Sequence, residues 1–215
     1  EQDASEATSR IYPTFTRSWV ALDGSATVTQ SRGAALDIDG RASADAPLGI
    51  GGTDTLPPGT LDAGLVTRLD ASADLTSLET GLLDISSVLP CDRDPRWHAQ
   101  CLVEAVQQVC NLYVVPHTLA ARIWQVLADE PAVKDLGTTT DRLGRSAWAV
   151  ALPSDPDDTI RSTVTVLLIS PDTGLLTGVE TITLSDTLSP VEEPTVTTFT
   201  AWTNRRWVAS IGTAP

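Results

Sequence analysis

The sequence predicts an α+β fold with an antiparallel sheet, and three observations carry that prediction. Strand-like alternation opens the chain, with Trp19 and Ala21 on one face and Val20 and Leu22 on the other. Helical spacing fills the middle third, where Leu75, Leu78, Leu82 and Ile85 recur at intervals of three and four. Alternating and apolar runs joined by tight turns return in the last third. An order of strands, then helices, then strands places about three helices on one face of an antiparallel sheet, because it lacks the regular βαβ alternation of a parallel one.

The elements follow in order. Residues 1–9 are polar and are expected as a disordered stub; residues 10–215 are expected as one domain, since no repeat or linker composition interrupts them. Asp23 and Gly24 between two alternating runs predict a two-residue hairpin turn with positive φ at both positions. A second short hairpin is expected around residues 37–41. Residues 43–60 are expected as a loop, because Gly49, Gly51, Gly52, Pro57, Pro58 and Gly59 punctuate them. Residues 63–70 fit a strand or a short helical turn equally well.

A helix is expected over residues 74–85. Asp94 as N-cap and Pro95 at the first position open a second helix to about Asn111, with Leu102, Ala105, Val106 and Val109 inward. A third runs from Thr118 to about Asp129 between Pro116 and Pro131, with Leu119, Ile123, Trp124, Val126 and Leu127 as its apolar side. Strands are expected at 146–152, 161–170, 175–184, 195–202 and 207–211. Pro171 to Gly174 fits a type I turn closed by a glycine bulge.

The composition bounds the function. The chain has 215 residues, with 28 Asp and Glu against 14 Lys and Arg, a formal net charge of −14. That balance argues against nucleic acid and against anionic membrane surfaces as partners. No run approaches the ~20 apolar residues of a membrane span. The chain opens on Glu1 and contains no Met, so any leader or anchor is expected outside this sequence. Many Asp stand at turns and helix starts, where their side chains bond local backbone. The acidity is therefore partly a property of connections rather than of one binding face.

Candidate chemistry is sparse. His98 and His117 are the only histidines, and both read as surface or helix-end imidazoles. No G-x-S-x-G elbow and no metal-ligand spacing is present. Asp155, Asp157 and Asp158, or Asp37 and Asp39, offer oxygen ligands for Ca²⁺, but neither group matches a calcium loop and both read as solvated turns. Gly49, Gly51 and Gly52 lack the helix and Lys of a phosphate loop and read as a connection. Trp19, Trp148, Trp202 and Trp207 fall in expected strands as core or sheet-face residues; the minority reading sets some of them around a cavity for an apolar ligand. No catalytic residue, cofactor or metal is therefore expected.

The three cysteines permit a geometric argument. Cys101 and Cys110 are nine residues apart on one helix, about 13 Å and roughly half a turn apart, so they cannot pair. Cys91 folds back to Cys101 more easily than to Cys110. A Cys91–Cys101 disulfide is expected, with Cys110 a buried free thiol, and such a bridge implies an oxidising compartment.

Several short motifs, taken in order, resemble a family. They are Arg17, Ser18 and Trp19 followed by Asp23, Gly24 and Ser25; Leu89 and Pro90 followed by Asp94 and Pro95; Leu119 to Ala128; Pro131 to Val133; Gly137; Thr140 to Arg145; and Val166 to Leu176. Together they are similar to an uncharacterised group of actinobacterial membrane-anchored proteins, many encoded beside extracytoplasmic-function sigma factors. The cysteines stand outside that pattern. The resemblance implies an extracytoplasmic domain without catalytic residues, anchored through a segment outside this sequence. It also implies a curved, half-barrel-like sheet similar to LolA, the LppX group or RseB.

The reading that follows is a monomeric, non-enzymatic sensor or regulatory domain whose partner is an envelope protein. The alternatives are a carrier of lipid or another apolar ligand, and a hydrolase with an unrecognised Asp or His site.

Overall fold

In the computed structural model, the described residues are 13–34, 51–86, 91, 94–153, 160–188, 193–203, 205–206 and 208. The expectations for residues 1–9 and 37–41, for Gly49, for the Asp155–Asp158 group and for nearly all of 207–211 lie outside them. The described residues form an α+β fold with two open antiparallel sheets, and the chain divides into two compact units, 1–63 and 64–215. No linker composition marks that division in the sequence.

The first unit is a meander of β1 (Thr14–Val20), β2 (Ala26–Arg32) and β3 (Gly52–Leu56), paired in that order. The turn after β1 differs from the two-residue form expected. The Ala21 N–H donates to the Ser25 carbonyl at 2.9 Å and the Gly24 N–H to the Ala21 carbonyl at 3.0 Å, so the loop is longer. Gly24 alone in it has positive φ, at +77°. A side chain there would also run into the Leu61 carbonyl oxygen. Asp23 accepts from the Ser25 N–H and hydroxyl instead of adopting positive φ itself.

β3 corrects the loop expected over 43–60. Thr53 and Thr55 are β-branched strand formers, and the register from Gln30↔Gly52 to Ala26↔Leu56 gives them a template. The Thr29 and Thr53 hydroxyls meet across it at 3.2 Å. The flanking Gly and Pro ended the strand rather than forbidding it.

The second unit opens with helices. Residues 63–70, left undecided by the sequence, contain α1 (Leu65–Asp70). α2 (Leu75–Leu83) starts where Asp74 caps it, accepting from the Ser77 N–H at 2.8 Å. Asp94 caps a 3-10 turn, Pro95–Trp97, that leads into α3 (His98–Leu112). Pro116 precedes α4 (His117–Asp129). From α4, the Arg122 guanidinium donates to the carbonyls of Asp70 at 3.0 Å, Ser72 at 2.6 Å and Asp74 at 3.1 Å. One cation thus satisfies the carbonyls between α1 and α2, where a helix end leaves acceptors free.

A five-stranded meander follows: β4 (Lys134–Thr140), β5 (Ser146–Pro153), β6 (Arg161–Ile169), β7 (Leu176–Asp186) and β8 (Thr195–Ala201). β4 was not expected. Its register slips between Asp135 and Gly137, where Gly137 has φ +78°, and this bulge breaks the alternation that reveals a strand. The β6–β7 turn matches its expectation: the Gly174 N–H donates to the Ser170 carbonyl at 2.8 Å, with Gly174 at φ +67°.

Alternation sorts β5 and β6 onto two faces. Leu152, Leu167 and Ile169 join the helices in the main core, with Val150 packed against it. Ala147, Ala149, Ala151, Val166 and Leu168 form a second cluster on the other face. Leu78 and Leu82 of α2, Val106 and Val109 of α3, and Leu119 of α4 are fully buried in the main core. Each buried side chain of this size contributes about 1.5–3 kcal/mol before entropy is counted.

Leu102, on the inner face of α3, tests this packing. Leu102→Ala is expected to cost about 2–5 kcal/mol in urea unfolding, and Leu102→Met less than about 1.5 kcal/mol.

Candidate functional site

α3 carries two stripes. Its apolar stripe includes Leu102, Val106 and Val109 and enters the core. A second stripe, Glu104, Gln107, Gln108 and Asn111, repeats at i, i+3, i+4 and i+7 and is polar. That polar stripe forms one wall of a cleft of about 320 Å³. Val179 and Thr181 of β7 and Thr198 and Thr200 of β8 form the other wall, and Phe199 and Trp202 lie at its β8 side.

Among the described residues that line the cleft, Glu104 is the one titratable group. Its carboxylate accepts from the Ser86 hydroxyl at 2.7 Å and from the Gln108 amide at 3.0 Å. The Trp202 indole N–H donates to the Asn111 side-chain oxygen at 3.4 Å. The lining thus mixes amides and hydroxyls that both donate and accept with Val179, two aromatic rings and one carboxylate.

Two anchors hold the walls. The first is covalent. Cys91 and Cys101 are at disulfide distance with Cα atoms 6.0 Å apart, and Cys110 is free and buried. Cys101 lies one turn before Glu104, so the bridge ties that part of α3 to the segment before it. The Ser86 hydroxyl sits 3.3 Å from the Cys91 sulfur as well as on Glu104. Burial pushes the Cys110 thiol up to about 11, against the opposing pull of Arg205, so it stays protonated at neutral pH.

The second anchor is ionic. Asp141, 5% exposed, accepts from the Leu143 and Arg145 backbone N–H groups, each at 2.9 Å, and from the Arg145 guanidinium at 2.6 Å. Arg145 also donates to the carbonyls of Trp202 at 2.7 Å and Thr177 at 3.0 Å. The β4–β5 turn is thereby fastened to the chain at the β8 side of the cleft. Burial alone would raise the Asp141 pKa, but the two N–H donors and the guanidinium together hold it below the usual carboxylate range. Beside it, Arg205 lies 4.2 Å over the Trp202 ring, and its Nε and Nη2 atoms are buried without a hydrogen-bond partner.

The other residues singled out by sequence are placed elsewhere. His98 begins α3, with Nε2 2.9 Å from Glu79 of α2 and Nδ1 2.8 Å from Glu130 after α4. It pins three helices together. His117 begins α4, and its Nδ1 donates to the Thr173 carbonyl at 2.7 Å. Of the tryptophans, Trp202 reaches the cleft, while Trp19 lies in β1 and the 39%-exposed Trp148 in β5; Trp207 lies outside the described residues. Gly51 and Gly52 lead into β3. No group of three His, Cys, Asp or Glu that could hold a metal ion occurs among the described residues. The sequence reading missed the polar stripe of α3, although its spacing is visible there.

Fold and cleft together define an α+β domain with a recess of mixed polar and apolar lining between one helix and the end strands of its larger sheet. No protein-family model, no curated protein and no solved structure matches the chain.

The Asp141 anchor has a pH signature. Its folded-state pKa is lowered, so its stabilisation is present above the unfolded value near pH 4 and is lost as pH falls through the folded value. Asp141→Asn is expected to cost roughly 1–3 kcal/mol at pH 7. Urea unfolding of both proteins should show that gap narrowing as the pH falls below about 4.

Proposed function

We propose that the chain is a non-enzymatic, extracytoplasmic domain of sensor or regulatory type, and that the α3–β8 cleft is where it recognises its partner. The observation that carries this reading is the cleft lining: a recess of amides and hydroxyls interleaved with apolar groups, whose walls are held by a disulfide and a half-buried ion pair. Pre-set walls reduce the ordering cost of binding. Anchoring through a membrane segment outside this sequence belongs to the same proposal.

The lining chemistry favours recognition over the alternatives. Covering with a lipid chain those amide and hydroxyl groups that are not already bonded within the cleft would strand them at about 1–3 kcal/mol each. Hydrolysis needs a nucleophile or a positioned acid and base. Glu104 is occupied by Ser86 and Gln108, and each histidine is engaged at a helix start. A Cys91–Cys101 bridge is compatible with an oxidising, extracytoplasmic location. No helix among the described residues is long and apolar enough to cross a membrane.

Two measurements test this. Thiol titration of the denatured, unreduced protein should find one free thiol, and reduction should raise the count to three. Reduction should also cost about 2–3 kcal/mol, from reopening a short loop. Three thiols without reductant would remove the support for an oxidising compartment. Fragment screening by NMR should map amide- and hydroxyl-bearing hits onto the side-chain amides of Gln107, Gln108 and Asn111, with loss of those hits in Gln107→Ala. Hits confined to fatty acids would favour the carrier instead.

A further inference from the structure

We propose that the partner is an extended polypeptide segment, neutral or basic, that adds to the larger sheet as a strand along β8. This rests on the cleft being the recognition site and names what enters it.

The two edges of the sheet are unlike. β4 carries Lys134 and Asp135 and a bulge, features that discourage edge pairing. β8 reads Thr-Val-Thr-Thr-Phe-Thr-Ala, with no charge, no Pro and no Gly, and five of its seven residues are β-branched. Its own bulge falls at Thr197, because Thr181 pairs with Thr198 and Ile182 with Val196. The run from Thr198 to Ala201 stays regular. Thr198, Phe199 and Thr200 are exposed, and among the described residues no strand pairs with the outer side of β8.

The register says which backbone groups face out. The Trp202 N–H donates to the Thr177 carbonyl at 2.9 Å, and Ala201 stands opposite Gly178. Antiparallel pairs alternate between bonded and non-bonded, so Thr200 bonds inward while Phe199 and Ala201 turn their N–H and C=O groups away from β7. Such groups are best met by another backbone. Residues on the cleft-facing side of an added strand would point towards Gln107, Gln108 and Asn111.

Charge selects the occupant. A second copy of a chain with net charge −14 would bring its own −14 to the same edge, and an acidic peptide would meet Glu104, while at the β8 end the Arg145 guanidinium is already taken by Asp141 and two carbonyls and Arg205 is stacked on Trp202. A neutral or basic segment is repelled by neither.

The probe is the eight-residue peptide acetyl-(Thr-Lys)4-amide, titrated into the isotope-labelled chain. Expected are shifts at the backbone amides of Phe199 and Ala201 together with the side-chain amides of Gln107 and Gln108. Methylating every second backbone nitrogen on the peptide's edge-facing side should weaken binding at least tenfold. So should Ala201→Pro, which deletes an outward N–H and leaves the β7 bonds in place. The acidic peptide acetyl-(Thr-Glu)4-amide should bind at least tenfold more weakly. Because the methylated peptide is tested on the unaltered protein, the result does not depend on the variant folding.

Shifts of Gln107 and Gln108 without Phe199 and Ala201 would overturn strand addition and leave the cleft as a recognition site. Concentration-dependent shifts at β8 without peptide would replace the peptide by a second copy. Slow hydrogen exchange at Phe199 and Ala201 in the free chain would mean the edge is already filled, which also overturns the proposal. No shift in the cleft or on β8, from peptide or fragment, would remove both readings.

Discussion

Helix α3 is the constraint on which the second unit depends. Its Leu102, Val106 and Val109 must enter the core, which fixes the rotation of the helix about its axis. Once that rotation is set, residues 104, 107, 108 and 111 have no choice of direction, and they become a wall over β7 and β8. The start of the same helix carries His98 to the carboxylates of Glu79 and Glu130, and Cys101 to Cys91. Burial of one apolar stripe thus places the cleft wall, the three-helix junction and the bridge together.

The opposite wall is placed by different physics. β8 is joined to the rest through its ladder with β7 and through the Arg145 guanidinium, which spans from Asp141 to the carbonyls of Trp202 and Thr177. The carboxylate supports Arg145 in that position, so a residue in the β4–β5 turn governs where Trp202 stands. Arg205 stacks on the same ring, and its guanidinium also acts on the buried Cys110 thiol, so it joins the β8 end of the cleft to α3.

Helices and central strands were legible because their signals are local. Asp74 and Pro116 mark helix starts, and the spacing of Leu78 and Leu82 shows the buried face. β6 is an apolar run and β5 alternates cleanly. Where local signal and pairing diverge, the sequence misleads. Gly52 begins a strand because β2 offers a partner, and Leu136 hides β4 by shifting its alternation by one. At Asp23 and Gly24 the dipeptide announced a turn correctly, but its length depended on Ala21 and Ser25 closing the loop. The cleft was the least legible feature, since Gln107 and Thr200 are brought together by the core and by nothing in the sequence between them. Only the polar stripe on α3 was there to be read.

The bridge and the free thiol differ in one further respect. Cys91 and Cys101 are ten residues apart, whereas the β7–β8 wall needs strands far along the chain from α3. A loop so short closes quickly and needs no completed core. The bridge therefore depends only on the chain at the start of α3, whereas Cys110 is sheltered by the packed core. Exchange needs a thiolate that can reach a disulfide sulfur, and burial denies Cys110 both ionisation and access. The core thus acts as a lock on the pairing: while it stays closed, the third thiol cannot reshuffle the bridge.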